Sequence, residues 1–293
     1  MTVEEPAGGG ARGTLFVVAT PIGNLADVTL RALEILREVP LIAAEDTRHT
    51  RRLLDRHGVV TRTTRYHARS EVARTNALLE HLRGGADLAL VTDAGTPAVS
   101  DPGADLVAAW ATEGGIVVPI PGASAVLAAV VASGLAGPRW AFEGFLPRSG
   151  RERRERIERI ADDDRGTVVF EAPGRVAATL DDLAAVCGAD RPAAVCRELT
   201  KLHETIVRGT LGELAEAATA GRIPARGEFA LVVGGWPDGR PVSAEAAVDA
   251  LVAARAEVER LVEAGTARGE AARRVAANTG ISRRHLYGAD RVR

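Results

Sequence analysis

A chain of 293 residues, 46% hydrophobic and 26% charged, is long enough for two domains and ordinary in composition for a globular protein. A net charge of −2 excludes a protein that coats nucleic acid over its whole surface. No run approaches the roughly 18 apolar residues of a membrane span, and aromatics at 3% leave the packing to Ala, Val and Leu.

Residues 1–13 hold Glu4, Glu5, Arg12 and a Gly triplet without an apolar core, and read as a disordered tail, neither signal peptide nor anchor. Residues 14–20 (TLFVVAT) are a strand that ends in Pro21-Ile22-Gly23-Asn24. Leu25, Val28, Ala32, Leu33, Leu36 and Val39 then recur at helical spacing. Leu41–Ala44 is a second strand, and 46–57 a basic helix closed by Gly58. A short strand precedes Tyr66, and Ser70 is an N-cap candidate for a helix to Arg83. Residues 86–92 form a buried strand, 104–113 a helix, and 116–120 a strand followed by a small-residue helix to about Gly134. Short apolar strands alternating with helices indicate crossover units and a parallel sheet.

The Pro/Gly-rich passage 134–150 reads as the link to a second domain that repeats the alternation. Its elements are a charged helix (151–161), strands at 167–170, 193–197, 206–208 and 229–233, and a helix at 176–187. The Arg/Glu mixture of 151–159 reads as an ion-paired, solvated helix face. Trp236-Pro237-Asp238-Gly239 closes that domain. Residues 243–293 are Ala/Arg/Glu-rich and helical, ending in a helix, an Asn278-Thr279-Gly280 turn and a basic helix capped by Ser282. The expected organisation is therefore a tail (1–13), an N-terminal α/β domain (14–134), a second α/β domain (135–239) and a helical extension (240–293). Cys187 and Cys196 lie nine positions apart with no nearby Cys/His cluster, so they read as small buried residues of a reducing compartment, and no metal site is expected. The chain reads as cytoplasmic, with no membrane partner.

Ligands of open parallel sheets sit beyond the carboxyl ends of the strands. Three loops there, 20–24, 93–97 and 121–125, are built from Gly, Pro, Ala and small hydroxyl residues and suit a small-molecule cleft. Neither GxGxxG after a strand nor GxxxxGK[ST] is present, which disfavours a dinucleotide or NTP site.

Seven stretches stand in order: LFVVATPIGNL (15–25), AAEDTRHT (43–50), LVTDAGTPAVSDPG (90–103), PIPGASA (119–125), SGL (133–135), GFLPR (144–148) and RELTK (197–201). Together they resemble the tetrapyrrole-methylase-like methyltransferases, in particular the branch that 2′-O-methylates a cytidine in the decoding region of small-subunit (16S) ribosomal RNA. The resemblance implies two α/β domains with S-adenosyl-L-methionine held between them, a homodimer, and 16S ribosomal RNA or the assembled small subunit as partner. Its cofactor positions are Thr20, Pro21 and Gly23, then Asp93, Ala94, Gly95, Thr96 and Pro97, then Pro121, Gly122, Ser124 and Ala125. Phe170, Ala172 and the strand around Ala230 would close the cleft. The family often carries an aromatic-Glu-Ser-Pro-His-Arg run; here it reads Phe170-Glu171-Ala172-Pro173-Gly174-Arg175, so no role of that His carries over.

Methyl transfer to a ribose hydroxyl needs an aligned donor and a proton acceptor. Glu45 and Asp46, at a strand end, could be that base or could orient Arg48 towards phosphate; Asp46 could equally cap the next helix. Lys201 could assist deprotonation if its pKa were depressed, or bind phosphate, or be a surface lysine. Tyr66 and His67 could stack on a base or shuttle a proton. Arg48, Arg51, His67, Arg175, Arg283 and Arg284 are the candidate RNA contacts. A corrin or porphyrin methyltransferase of the same fold and a non-catalytic ribosome-assembly factor are the rival readings.

Overall fold

The computed structural model describes residues 12–67, 72–235, 244–279, 281 and 283–286. The chain divides into two compact units, Met1–Pro237 and Asp238–Arg293. The tail before residue 12, the Ser70 cap and the 236–239 closure lie outside the described residues.

The larger unit begins with β1 (Thr14–Val18), a 3-10 turn (Leu25–Asp27), α1 (Leu30–Glu38), β2 (Leu41–Ala44), α2 (Thr47–Arg56), β3 (Thr63–Arg65) and α3 (Val72–Arg83). β4 (Leu88–Val91), α4 (Ala104–Thr112), β5 (Ile116–Ile120) and α5 (Ala125–Ser133) follow. The single helix expected from Leu25 to Val39 is two pieces. Asn24 caps the 3-10 turn, and the Thr29 hydroxyl accepts the Ala32 amide (3.1 Å) to start α1 afresh. The five strands form one wholly parallel sheet in the order β3-β2-β4-β1-β5. Every residue of the central β4 is buried, as a strand covered by helices on both faces must be.

The second sheet contains β6 (Trp140–Phe145), β7 (Gly166–Glu171), β8 (Pro192–Arg197), β9 (Thr205–Thr210) and β10 (Phe229–Val233). Its helices are α6 (Arg151–Asp162), α7 (Val176–Cys187) and α8 (Leu211–Thr219). The strand order is β6-β7-β10-β8-β9. Only the β6–β7 pair is parallel; β7-β10-β8-β9 is antiparallel, where the sequence alternation had implied another parallel sheet. Two elements were not anticipated. β6 falls inside the passage read as a linker, because Gly144 sits at φ +61 and breaks its alternation with a register shift. α8 carries a capping box, Thr210 with Glu213, whose T-x-x-E signal stands in the sequence.

The charged helix α6 is only partly a solvated face. Arg151 pairs with Glu155 at 2.5 Å in solvent, whereas Arg153 is buried against Asp182 (2.7 Å) and Arg156 reaches Glu143 (2.9 Å). Both cysteines are buried and free, as expected. The apolar helix α5 ends the first half yet packs on the second sheet, its Val126 and Ala129 sharing a core with Val168, Ala194, Cys196 and Ala230. That shared core holds the two sheets in one unit, with the strand-end loops of the first facing β7, β8 and β10.

The smaller unit packs α9 (Ala244–Glu263), α10 (Arg268–Thr279) and α11 (Arg283–Leu286) around Ala254, Val258, Ala271, Ala272, Val275 and Leu286. Arg283 is exposed on the short α11, while Gly280, Ser282 and the Arg284 side chain lie outside the described residues. Among the described residues no helix is long and apolar enough to cross a membrane.

Candidate active site

The loops after β1 and β4 are stitched together. The Thr20 amide donates to the Gly95 carbonyl (2.9 Å), the Gly95 amide donates back (3.0 Å), and the Thr20 hydroxyl reaches the Thr92 carbonyl (3.0 Å). Gly95 takes φ +82 in this bridge, and the loop continues through Ala98 (φ 68) and Ser100 (φ 63), left-handed positions that cost L-residues energy. The opposite wall is similarly forced: Glu198 (φ 53) and Thr200 (φ 67) lie in the RELTK turn after β8.

Between these walls lies a cavity of about 370 Å³. From the first half it is lined by Ile22, Ala94, Gly95, Thr96, Val99, Ser100, Asp101, Ser124, Ala125 and Val126. Across it stand Phe145, Phe170, Ala172, Leu199, Glu228 and Ala230, among others, so the expected closure by Phe170, Ala172 and the Ala230 strand is what is found. Phe170 packs against Phe142 and Phe145, with ring centroids 4.9 and 5.7 Å away. The Cys196 thiol in this wall is pushed up to about 11 by burial, which makes it an apolar lining group and no nucleophile.

A second cavity of about 310 Å³ is lined by Thr20, Pro21, Gly23, Leu25, Thr92 and Asp93 and by three cation-forming side chains, His49, Arg52 and Lys201. The two cavities divide the 92–101 segment between them, and Lys201 and Glu228, each lining one of them, are ion-paired at 2.8 Å. The cofactor positions expected from sequence are thus distributed. Ala94, Gly95, Thr96, Ser124 and Ala125 face the larger cavity; Thr20, Pro21, Gly23 and Asp93 face the smaller. Pro97, Pro121 and Gly122 line neither, and a Cβ on Gly122 would meet that of Ala19 at 3.0 Å, so this glycine serves close packing.

A family model described as Tetrapyrrole (Corrin/Porphyrin) Methylases matches residues 14–215 of this chain. The chain belongs to the tetrapyrrole methylase family. Curated relatives named ribosomal RNA small subunit methyltransferase I include one from Synechocystis sp., 46% identical over 94% of this chain and 96% of the relative. Another, from Bacillus subtilis, is 38% identical over 96% and 95%. Solved structures of the same fold include a cobalt precorrin-4 methyltransferase (TM-score 0.57, 20% identity, 76% of this chain and 95% of that one). A uroporphyrin-III C-methyltransferase from Thermus thermophilus complexed with S-adenosyl homocysteine has TM-score 0.55 and 21% identity, over 76% and 97%.

Within this tetrapyrrole methylase site the charged candidates separate. Asp46 is the N-cap of α2, accepting the Arg48 amide at 2.9 Å and the Arg48 guanidinium at 2.7 and 3.2 Å. Those bonds hold its carboxyl far below the usual range, so it caps and orients and is a poor proton acceptor. Arg48 itself is 88% exposed. Glu45 lines neither cavity: its Oε2 accepts the Asp93 amide (3.4 Å), and the Asp93 Oδ1 accepts the Asp46 amide (3.0 Å), which braces the loops after β2 and β4. Burial raises the Glu45 pKa, helped by Asp93 and opposed by the Asp93 amide and His67.

Three further expectations meet a different arrangement. Partial burial disfavours the Lys201 ammonium, but bonds to Glu228 (2.8 Å) and Glu198 (2.9 Å) more than compensate, so its pKa is raised and the lysine stays a cation. That removes the deprotonated-lysine reading. Tyr66 is 4% exposed in the core of the first sheet, its hydroxyl 3.3 Å from that of Thr75, and offers no face to a base. Arg175 turns to Glu171 Oε1 (3.1 Å) and the Leu146 and Pro147 carbonyls (2.8 and 3.2 Å). His67 sits near Glu45, and Arg51 is half-buried on α2, one residue from the cavity-lining Arg52. Sequence reasoning missed His49, Arg52, Asp101 and Glu228. His49 and Arg52 stand three apart on one helix, a spacing that could have been read; Asp101 and Glu228 needed the closed loops.

Proposed function

We propose that the protein is a cytoplasmic, homodimeric S-adenosylmethionine-dependent methyltransferase that 2′-O-methylates a cytidine in the decoding region of 16S ribosomal RNA. The observation that carries this reading is the likeness to the ribosomal RNA small subunit methyltransferase I relatives. It extends over 276 residues, longer than the two-sheet unit ending at 237, and so runs into the helical unit.

The larger cavity fits the cofactor. Its volume lies in the range of small-molecule sites, its Phe145, Phe170, Ile22 and Leu199 give an adenine apolar walls, and Thr96, Ser100 and Ser124 supply hydroxyls. Asp101 and Glu228 line it with carboxyls, which would suit the positive charges of the cofactor. When bound, S-adenosylmethionine supplies an activated methyl group. The smaller cavity is compatible with an RNA substrate. Arg52, Lys201 and His49 at its rim suit a phosphate-flanked nucleotide, and the exposed Arg48 extends the same basic helix outward.

The deciding assay is transfer of labelled methyl from S-adenosylmethionine to small subunits from cells lacking this protein, read by nucleoside mass spectrometry. One new 2′-O-methylcytidine in the decoding region is expected; no incorporation despite cofactor binding would send the reading to tetrapyrroles, and no cofactor binding to an assembly factor. In the same assay Arg52→Ala is expected to raise the KM for subunits about tenfold and to lower the salt slope of binding by about one, with cofactor affinity unchanged. An unaltered KM would remove the smaller cavity from the RNA path.

A further inference from the structure

The smaller cavity carries groups of opposite character, the basic His49, Arg52 and Lys201 and the Asp93 carboxylate. One of its walls is the first half of α2, where Thr50 and Leu53 are both buried and His49 and Arg52 stand beside them. Thr50 is 3% exposed, yet its hydroxyl has no hydrogen-bond partner in the protein. The Asp46 carbonyl one turn back, which a helical threonine often engages, accepts the Thr50 amide (3.0 Å) but not that hydroxyl. A buried hydroxyl left unpaired is costly, and an occupant of the cavity that bonds it removes the cost. Its neighbours in the lining are already engaged: the Thr20 hydroxyl donates to the Thr92 carbonyl (3.0 Å), and the Thr92 hydroxyl lies beside the Asp101 carboxyl. Asp93 is fixed at one oxygen, Oδ1, by the Asp46 amide (3.0 Å), while the cavity's lysine pairs with Glu198 and Glu228 instead. A carboxylate accepts hydrogen bonds and donates none, so it repels a phosphate and attracts an N–H. Phosphates therefore belong with the cations, and the Asp93 side of the cavity suits an amino group.

We infer that the smaller cavity receives the unstacked base of the target nucleotide, Asp93 accepting its exocyclic amino group and the Thr50 hydroxyl bonding a second polar atom of the same base. The inference rests on the RNA methyltransferase reading above and adds how the enzyme chooses its base. Cytosine presents an amino donor at the position where uracil presents a carbonyl acceptor. Facing a carboxylate, the first is bound and the second is repelled. A hydroxyl donates or accepts, so Thr50 adds affinity for either pyrimidine and Asp93 supplies the selection. Pro21, Leu25 and Leu53 give the ring apolar walls, as pockets for splayed-out RNA bases require.

The test uses the full chain and small subunits assembled with either cytidine or uridine at the methylated position. The wild type should favour cytidine by about 10-fold or more in kcat/KM. Asp93→Asn keeps an oxygen for the Asp46 amide but offers an N–H to the base. It should lose about 10-fold or more on cytidine, gain on uridine, and bring the ratio of the two to about one or below. Its binding of S-adenosylhomocysteine by calorimetry should stay within about twofold of the wild type. Thr50→Val removes the hydroxyl at nearly constant volume and should raise KM about tenfold for both subunits. It should melt no lower than the wild type, because the free protein loses only an unpaired hydroxyl; Thr50→Ser should recover most of the KM. The proposal falls if the wild type methylates both nucleotides equally, or if Asp93→Asn leaves their ratio unchanged or loses S-adenosylhomocysteine along with activity. It falls equally if Thr50→Val melts lower than the wild type or keeps its KM. A wild type that methylates neither subunit would bring down the functional reading and the proposal with it; any of the other results beside an active wild type brings down the proposal alone.

Discussion

Replacing Arg175 by alanine is expected to cost about 3 kcal/mol of stability and to leave RNA affinity almost untouched. The Glu171 side chain is 0% exposed. Its carboxylate is held by Arg175 Nε (3.1 Å), the Thr179 hydroxyl (2.6 Å) and the Ala172 amide (2.8 Å). Without the guanidinium a buried carboxylate loses its counter-charge, and the Leu146 and Pro147 carbonyls lose their donor. The melting temperature should fall by roughly 6–12 °C for a unit of this size. Adding Glu171→Gln should return part of the loss, because the double variant buries no unpaired charge. A surface arginine on RNA would behave in the opposite way, with an unchanged melting temperature and a salt slope of subunit binding smaller by about one. That outcome would reinstate the RNA reading of Arg175.

Gly23→Ala should abolish most of the activity through Lys201. A Cβ at Gly23 would lie 2.4 Å from Lys201 Cγ and 3.0 Å from Cε and from the Thr200 hydroxyl. The lysine stem cannot simply swing aside, since its ammonium is fixed by Glu198 and Glu228 and its backbone by the left-handed Glu198 and Thr200. The added methyl therefore displaces the cation that lines the smaller cavity and pairs with Glu228 of the larger one. Misplacing a positioning group by about 1 Å costs on the order of 100-fold in rate, and that is the expected fall in kcat/KM, with little change in melting temperature. Lys201→Ala should give a similar loss, and the double variant little more than either alone. Additive losses, or a Gly23→Ala enzyme with full activity, would refute the coupling.

Much of the first half was legible in the chain itself. Apolar runs such as LALV at 88–91, ending in Asp-Ala-Gly-Thr-Pro, report a buried parallel strand and its ligand-side turn because strand burial and turn chemistry are local properties. Ordered motifs likewise point to the family and the cleft. The second sheet was harder: an antiparallel ladder and a parallel one use the same β-branched residues, so β7, β8 and β10 announce themselves without their direction. Gly144 hid β6 by interrupting its alternation.

What the sequence by itself determined is therefore the element types along most of the chain, the loops that build the site, and the kinds of side chain at hand. Tertiary structure alone decided what each of those side chains touches. Glu45, Asp46, Asp101, Arg175 and Lys201 are equally plausible as letters. Only the folded loops make Asp46 a cap, turn Arg175 onto a buried Glu171, keep Lys201 charged between Glu198 and Glu228, and leave Asp101 facing the cavity. The reason is physical: proton affinity and reach depend on burial and on charges a few ångströms away in space, and those neighbours come from strands far apart along the chain.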